Sequence, residues 1–228
     1  MIPKIIHQTF KTKNLPLELQ EVVFRLKEAC PTFEHRLYDD DDMYNFIKDN
    51  YDEETLSLYN MINPKLGMAK ADFFRYLLIY KVGGFYFDIK SCTDRDLTEW
   101  AENYKFITAH WSHRWHADTI NYKLGEFQQW HIISEPGHPI LELTIHRMKE
   151  NIRNYVHRPN KVDHKTDVLN VTGPLCYSRA ILETKDKYKE GYLEFECNEH
   201  LGLVYDGVTR GHHSVYRGYL DKEPVVIK

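Results

Sequence analysis

Asp72, Arg75 and Asp88 stand out among the four charged residues of a largely apolar stretch, ADFFRYLLIYKVGGFYFD, which runs from Ala71 to Asp88. Asp72 and Arg75 are three residues apart, so on a helix their side chains share a face. Asp88 ends the run Phe85-Tyr86-Phe87. In open α/β sheets ligands bind beyond the carboxyl ends of the strands. A carboxylate at that place, close to a buried Asp/Arg pair, is a candidate site. Carboxylates at a strand end suit a divalent cation. The plain alternative for Asp72 and Arg75 is a buried ion pair that only fixes the helix. For Asp88 it is a cap on the following turn. Functional carboxylates gather where burial perturbs them, which favours the site.

The elements that must position these charges have strong local signals. Residues 68–82 contain no Pro and no Gly, and Phe73, Phe74, Tyr76, Leu77, Leu78, Ile79 and Tyr80 cover nearly every side. A helix apolar all round is a buried one. Gly83 and Gly84 stop it in the usual C-terminal way. Residues 85–87 suit a strand covered on both faces. Residues 2–7 read as a first strand, with Gln8 and Thr9 at its carboxyl end. Further strands are expected at 35–38, 105–109, 127–134, 168–171 and 200–205. Helices are expected at 17–29, 53–60, 140–155 and from the Thr172-Gly-Pro174 turn to about residue 183. Strands alternating with helices predict an α/β fold with a largely parallel sheet. The acidic run Asp39 to Asp42 reads as a helix start, since sequence-adjacent carboxylates rarely converge on one ion. Residues 110–125 are polar, aromatic and aperiodic, so they read as a long loop, and such loops are usually functional. Acceptor contacts suit this loop better than a metal on His110, His113 and His116.

At 228 residues the chain fits one domain, or one with an elaborated end. A net charge of −4 carries no polyanion-binding signal and argues against a nucleic-acid partner. No run of 18 apolar residues predicts a membrane span. Cys30, Cys92, Cys176 and Cys197 form no metal-like spacing, and the first residues lack a signal-peptide pattern. Together these predict reduced thiols and a cytoplasmic setting.

Five landmarks in order give a further expectation. IPKIIHQTFKT, ADFFRYLLIYKVGGFYFDIK, QQWHIISEPGHPIL, the TGP turn and the HH pair at 212–213 resemble those of glycosyltransferase family 32. These are the DXD-containing sugar transferases related to the fungal initiation-specific α-1,6-mannosyltransferases. The resemblance implies a GT-A fold and one catalytic domain over residues 1–228. It implies a UDP- or GDP-sugar donor, a glycan or other hydroxyl acceptor, Mn2+ or Mg2+, and hexose transfer with retained configuration. It further implies that Asp72 and Arg75 hold the donor sugar's hydroxyls and that Asp88 approaches the ribose and the metal or diphosphate. His7, Gln8 and Thr9 would lie along the nucleotide, and Gln129 and Trp130 would touch donor or acceptor. His212 or His213 would complete a metal site with Asp88. Front-face attack needs no protein nucleophile, and no carboxylate suited to a double displacement is evident.

The chain departs from the pattern at one place. The second aspartate of D-x-D is Lys90, in Asp88-Ile89-Lys90. A protonated lysine cannot ligate a metal and repels one. Lys90 then either carries the metal's charge on the diphosphate, or coexists with an ion held by Asp88 and the terminal histidines, or marks lost catalysis. Asp94-Arg95-Asp96 is a weaker substitute six residues on. The rivals to a transferase are a catalytically silent nucleotide-sugar-binding protein and a metal-dependent phosphohydrolase.

Overall fold

The computed structural model describes residues 1–156, 165–197, 202–205 and 226–228. In chain order the elements are β1 (Ile5–Thr9), α1 (Leu17–Ala29), β2 (Glu34–Tyr38), α2 (Asp40–Asn50), α3 (Glu53–Met61), α4 (Gly67–Val82) and β3 (Gly84–Phe87). Then come β4 (Cys92–Thr93), α5 (Thr98–Asn103), β5 (Phe106–Ala109), α6 (Ala117–Ile120) and β6 (His131–Ser134). The last are α7 (Pro139–Arg153), α8 (Lys165–Val171), α9 (Pro174–Thr184), β7 (Tyr192–Phe195) and β8 (Leu203–Val204). The central sheet has the order β2-β1-β3-β6-β5-β7, and β4 pairs with β8 in a small separate ladder. β1 is parallel to β2 and β3, and β5 is parallel to β7, while β6 is antiparallel to both its neighbours.

Alternation along the strands divides the core into two layers. Tyr86, Phe106 and Ile132 face one side and pack under α4, α7 and α9 with Phe73, Leu77, Met148 and Tyr177. Phe85, Phe87, Ile107 and Ile133 face the other, against Val22 and Leu26 of α1 and Trp100 of α5. A sheet covered on both faces needs nearly continuous apolar strands, which is why Gly84–Phe87 is buried throughout. Gly83 and Gly84 both have positive φ, and a Cβ on Gly84 would stand 2.6 Å from the Ile5 carbonyl. Only glycine lets β3 leave α4 and close on β1 so tightly.

Three elements differ from expectation. Residues 168–171 are the end of helix α8, not a strand. Val168 and Val171 are buried three residues apart, and Asn151 Nδ2 donates to the carbonyls of Asn170 and Val171. A four-residue apolar run does not separate the two periods. The strand expected at 127–134 is regular only as β6, with Phe127 forming an isolated bridge to His110. Of the strand expected at 200–205, Leu203–Val204 is present as β8 and lies outside the main sheet. The acidic run starts α2 as expected: Asp39 and Asp42 form a reciprocal capping box. No described helix is long and apolar enough to cross a membrane, and all four cysteines are free and buried.

Candidate active site

Strand direction decides which residues meet. β1, β2, β3 and β5 end at one edge of the sheet. Because β6 runs the other way, its beginning lies at that same edge, and Gln129 and Trp130 precede it. The Asp88 N–H donates to the Trp130 carbonyl at 2.8 Å. Helix α4 runs back along the sheet before β3. Eight helical rises from Arg75 to Gly83 cover about 12 Å, and four strand steps from Gly84 to Asp88 cover about 13 Å. The two lengths match, so Arg75 returns to the level of Asp88.

One guanidinium joins both carboxylates. Arg75 Nη2 lies 2.9 Å from Asp72 Oδ1, and Nη1 lies 3.3 Å from Asp88 Oδ1. Nη1 also donates to the Gln129 carbonyl at 2.7 Å. The Gln129 amide donates to Asp72 Oδ1 at 3.2 Å and accepts from Tyr76 Oη at 2.8 Å. Thr172 Oγ1 donates to Asp72 Oδ2 at 3.4 Å. Tyr86 Oη reaches Asp88 Oδ1 at 3.3 Å and Thr9 Oγ1 at 2.9 Å, and the Arg75 guanidinium lies 4.7 Å over the Tyr86 ring. Asp72 and Arg75 side chains are 7% and 6% exposed, whereas Asp88 is 26% exposed. The pair therefore forms the floor of the site and Asp88 its open wall.

Burial pushes the Asp72 carboxyl up to about 6, with Arg75 opposing the shift and Asp88 adding to it. Burial works against the charge of Arg75, but Tyr86, Asp88 and Asp72 outweigh it and raise its pKa. The folded state binds the Asp72 proton more tightly than the unfolded chain does. This group's stabilising contribution is thus complete below about pH 4 and lost as pH rises through about 6. Activity that needs the Asp72 charge runs the opposite way. Turnover is expected to rise with pH through about 6, while Asp72→Asn shows a low, flat profile across that range. A pH–rate profile of both proteins, with folding monitored alongside, checks this; an unchanged acid limb in Asp72→Asn would contradict it.

The remaining candidates divide by exposure. Gln8 Nε2 donates to the Asp88 carbonyl at 3.3 Å and its Oε1 meets His35 Nε2 at 2.8 Å. Thr9 joins Tyr86, as above. His7 is fully buried, with Nε2 3.1 Å from the Gly83 carbonyl and Nδ1 3.1 Å from Tyr38 Oη, and burial lowers its pKa to about 3. It is a neutral fastener at the α4–β3 junction, set back from the open wall. Trp130 is buried, and its ring lies 5.1 Å from Tyr205. Lys90 is buried too, with Nζ 4.0 Å over the Tyr205 ring. Tyr76, Tyr86, Thr172, His35 and Tyr205 have no signal as site residues in the sequence, because their partners come from distant elements.

The described residues do not by themselves make a metal centre. Among the described residues no group of three or more His, Cys, Asp or Glu is placed to hold an ion. Asp94 pairs with Arg25 at 3.1 Å, and Asp96 accepts from Thr98 beside α5, so they do not form a substitute D-x-D. His110 contacts Glu194 at 3.1 Å and His116 contacts Glu126 at 2.7 Å, on separate carboxylates. His212 and His213 lie outside the described residues.

The loop at 110–125 has a buried base and an aromatic tip. Glu194 gathers His110, Lys185, Tyr122 and Tyr192; burial raises its pKa, but His110, Lys185 and Tyr192 outweigh it and bring it down to about 2. Inside the loop, α6 is one turn flanked by left-handed His116 and Asn121. Beyond the base, Trp111 and Trp115 stack at 4.9 Å, and Trp111 stands edge-on to Tyr205 at 5.3 Å. Trp115 is 49% exposed. An aromatic wall therefore runs from Trp130, beside Asp88, through Tyr205 to the open surface.

This geometry has relatives. Residues 16–107 match the family described as glycosyltransferase sugar-binding region containing DXD motif. An initiation-specific α-1,6-mannosyltransferase of Schizosaccharomyces pombe is 27% identical over 193 residues, covering 80% of this chain and 48% of the relative. The chain is similar to the DXD glycosyltransferases of family 32. An uncharacterized glycosyltransferase of Acanthamoeba polyphaga mimivirus is 28% identical over 80% of this chain and 66% of its own length. The mannosyl phosphorylinositol ceramide synthase SUR1 of Saccharomyces cerevisiae is 34% identical over 42% of this chain and 25% of its own. The chain thus spans between a quarter and two thirds of the length of these relatives. The solved PaToxG glycosyltransferase aligns with a TM-score of 0.57 at 15% identity, over 100% of this chain and 88% of that one. That likeness establishes the fold as the expected GT-A type, a mostly parallel sheet flanked by helices.

Proposed function

We propose that residues 1–228 form the catalytic region of a retaining glycosyltransferase that moves a hexose from a nucleoside-diphosphate sugar to a glycan or other hydroxyl acceptor. The observation that carries this reading is the single guanidinium of Arg75 bridging Asp72 and Asp88 at the ligand-binding edge of the sheet. Asp72 and Arg75 orient the donor sugar's hydroxyls from the floor, and Gln129 locks the pair. Asp88 faces the ribose and diphosphate. The bond from the anomeric carbon to the phosphate oxygen breaks, and its electrons stay with that oxygen. The acceptor hydroxyl attacks from the same face and yields its proton to the leaving phosphate. The similarity to an initiation-specific α-1,6-mannosyltransferase and to an inositol phosphoceramide mannosyltransferase supports mannose as the first sugar to try. The aromatic wall at Trp111 and Trp115 suits the apolar face of an acceptor sugar.

A thermal-shift screen of UDP- and GDP-sugars, with and without manganese, tests the donor assignment. A ligand that binds only the folded protein raises its melting temperature, by mass action. At least one nucleotide sugar is expected to do so, and its free sugar is not. No shift with any nucleotide sugar would contradict the assignment.

A further inference from the structure

Lys90 stands where the D-x-D pattern has its second aspartate. It lies in a tight turn closed by the Ser91 N–H, which donates to the Asp88 carbonyl at 2.8 Å. The turn parts its side chains. Ile89 packs against the cluster of Leu15, Leu19 and Val23, whereas Lys90 folds toward Tyr205, with its ammonium 4.0 Å above the ring. An ammonium over an aromatic face is attracted by the ring's negative quadrupole. Tyr205 is itself fixed. Its carbonyl accepts from Ser91 Oγ at 3.0 Å, and its ring lies against Trp130 and Trp111. The Trp130 carbonyl in turn holds the Asp88 N–H. Lys90, Tyr205, Trp130 and Asp88 thus form one closed circuit at the sheet edge, with a cation built into it.

We propose that Lys90 is the cation for the donor diphosphate in this chain, and that Tyr205 positions it. This rests on the donor reading above. The ammonium contacts the phosphate oxygens directly, where a D-x-D chain has a second carboxylate. As the bond to the anomeric carbon breaks, negative charge grows on the departing phosphate oxygen, and Lys90 offsets it. A fixed side-chain cation does this without an ion bridging residues 88 and 90, consistent with the poor metal-binding set among the described residues. The competing role is a tether, in which Lys90 only ties β8 to the turn after β3.

Calorimetric titration of the full chain with UDP and GDP, in chelator and in manganese, separates these roles. The wild type is expected to bind one of the two diphosphates in chelator, and more tightly than the matching nucleoside. Lys90→Met should weaken that binding about ten- to a hundredfold, the usual worth of a charge-assisted hydrogen bond. Lys90→Arg should keep most of it. Lys90→Asp should bind only when manganese is added. Wild-type affinity in Lys90→Met, or a wild type that binds only with manganese, would overturn the proposal while leaving the donor reading intact. Failure of both nucleotides to bind under every condition would remove the donor reading as well.

Discussion

Asp72→Asn is expected to lower turnover about a hundredfold or more while leaving the fold in place. Removing one preorganised polar contact to a reacting group typically costs two to three orders of magnitude in rate, roughly 10²–10³. Asparagine fits the same space and can still meet Gln129 and Thr172, which contact Asp72 at 3.2 and 3.4 Å. Only the charge is lost, and burial already disfavours that charge. Arg75→Ala is a harsher change. It strands Asp72 and Asp88 without their shared counter-charge, and breaking a buried pair in this way costs about 3–5 kcal/mol. Its loss of activity would therefore be mixed with unfolding. Arg75→Lys is the cleaner partner: it keeps the charge but not the fork that reaches both carboxylates at once. Kinetics and thermal melts on Asp72→Asn and Arg75→Lys decide the point. Full activity in both would make the pair structural.

The second large effect concerns the tip of the loop at 110–125. Trp115→Ala should raise the acceptor KM about tenfold, since a stacked aromatic contact is worth roughly 0.5–1.5 kcal/mol beyond its buried area. The slow hydrolysis of donor by water should stay unchanged. Trp115 is half exposed and touches Trp111 rather than the core, so folding is not at stake. The base of the loop offers no such separation, because His110 is fully buried on Glu194. Equal loss of transfer and donor hydrolysis in Trp115→Ala would show that the tip shapes the donor site instead.

The parts legible in the sequence are those with local causes. Helix α4 is apolar on every side, and two glycines end it, so α4 and β3 follow from composition alone. Their lengths then bring Arg75 level with Asp88. The antiparallel run of β6 is not legible, because pairing direction is set by distant partners, and it is this run that delivers Gln129 and Trp130 to Asp88. Tyr86 illustrates the same limit. Its alternation marks it as core, yet its hydroxyl reaches Thr9 and Asp88. Helix α8 was hidden by the brevity of its apolar run, and β7 by a mixed, half-buried pattern on an edge strand. Lys90 is visible in the sequence as a departure from the pattern, but only the Tyr205 ring beneath it gives the departure a physical role.

The most direct test is product analysis with a nucleoside-diphosphate hexose, first GDP- and UDP-mannose, and a saccharide acceptor. A transferase of the kind proposed yields an acceptor longer by one sugar, with the donor's anomeric configuration kept, and one nucleoside diphosphate per transfer. The one-bond carbon–proton coupling at the anomeric centre of the product reads the configuration, and the nucleoside diphosphate released is counted against elongated acceptor. Nucleoside diphosphate and free sugar without an elongated acceptor would indicate a hydrolase, inversion at the anomeric carbon would exclude front-face transfer, and tight donor binding with no product would make the chain a binding protein.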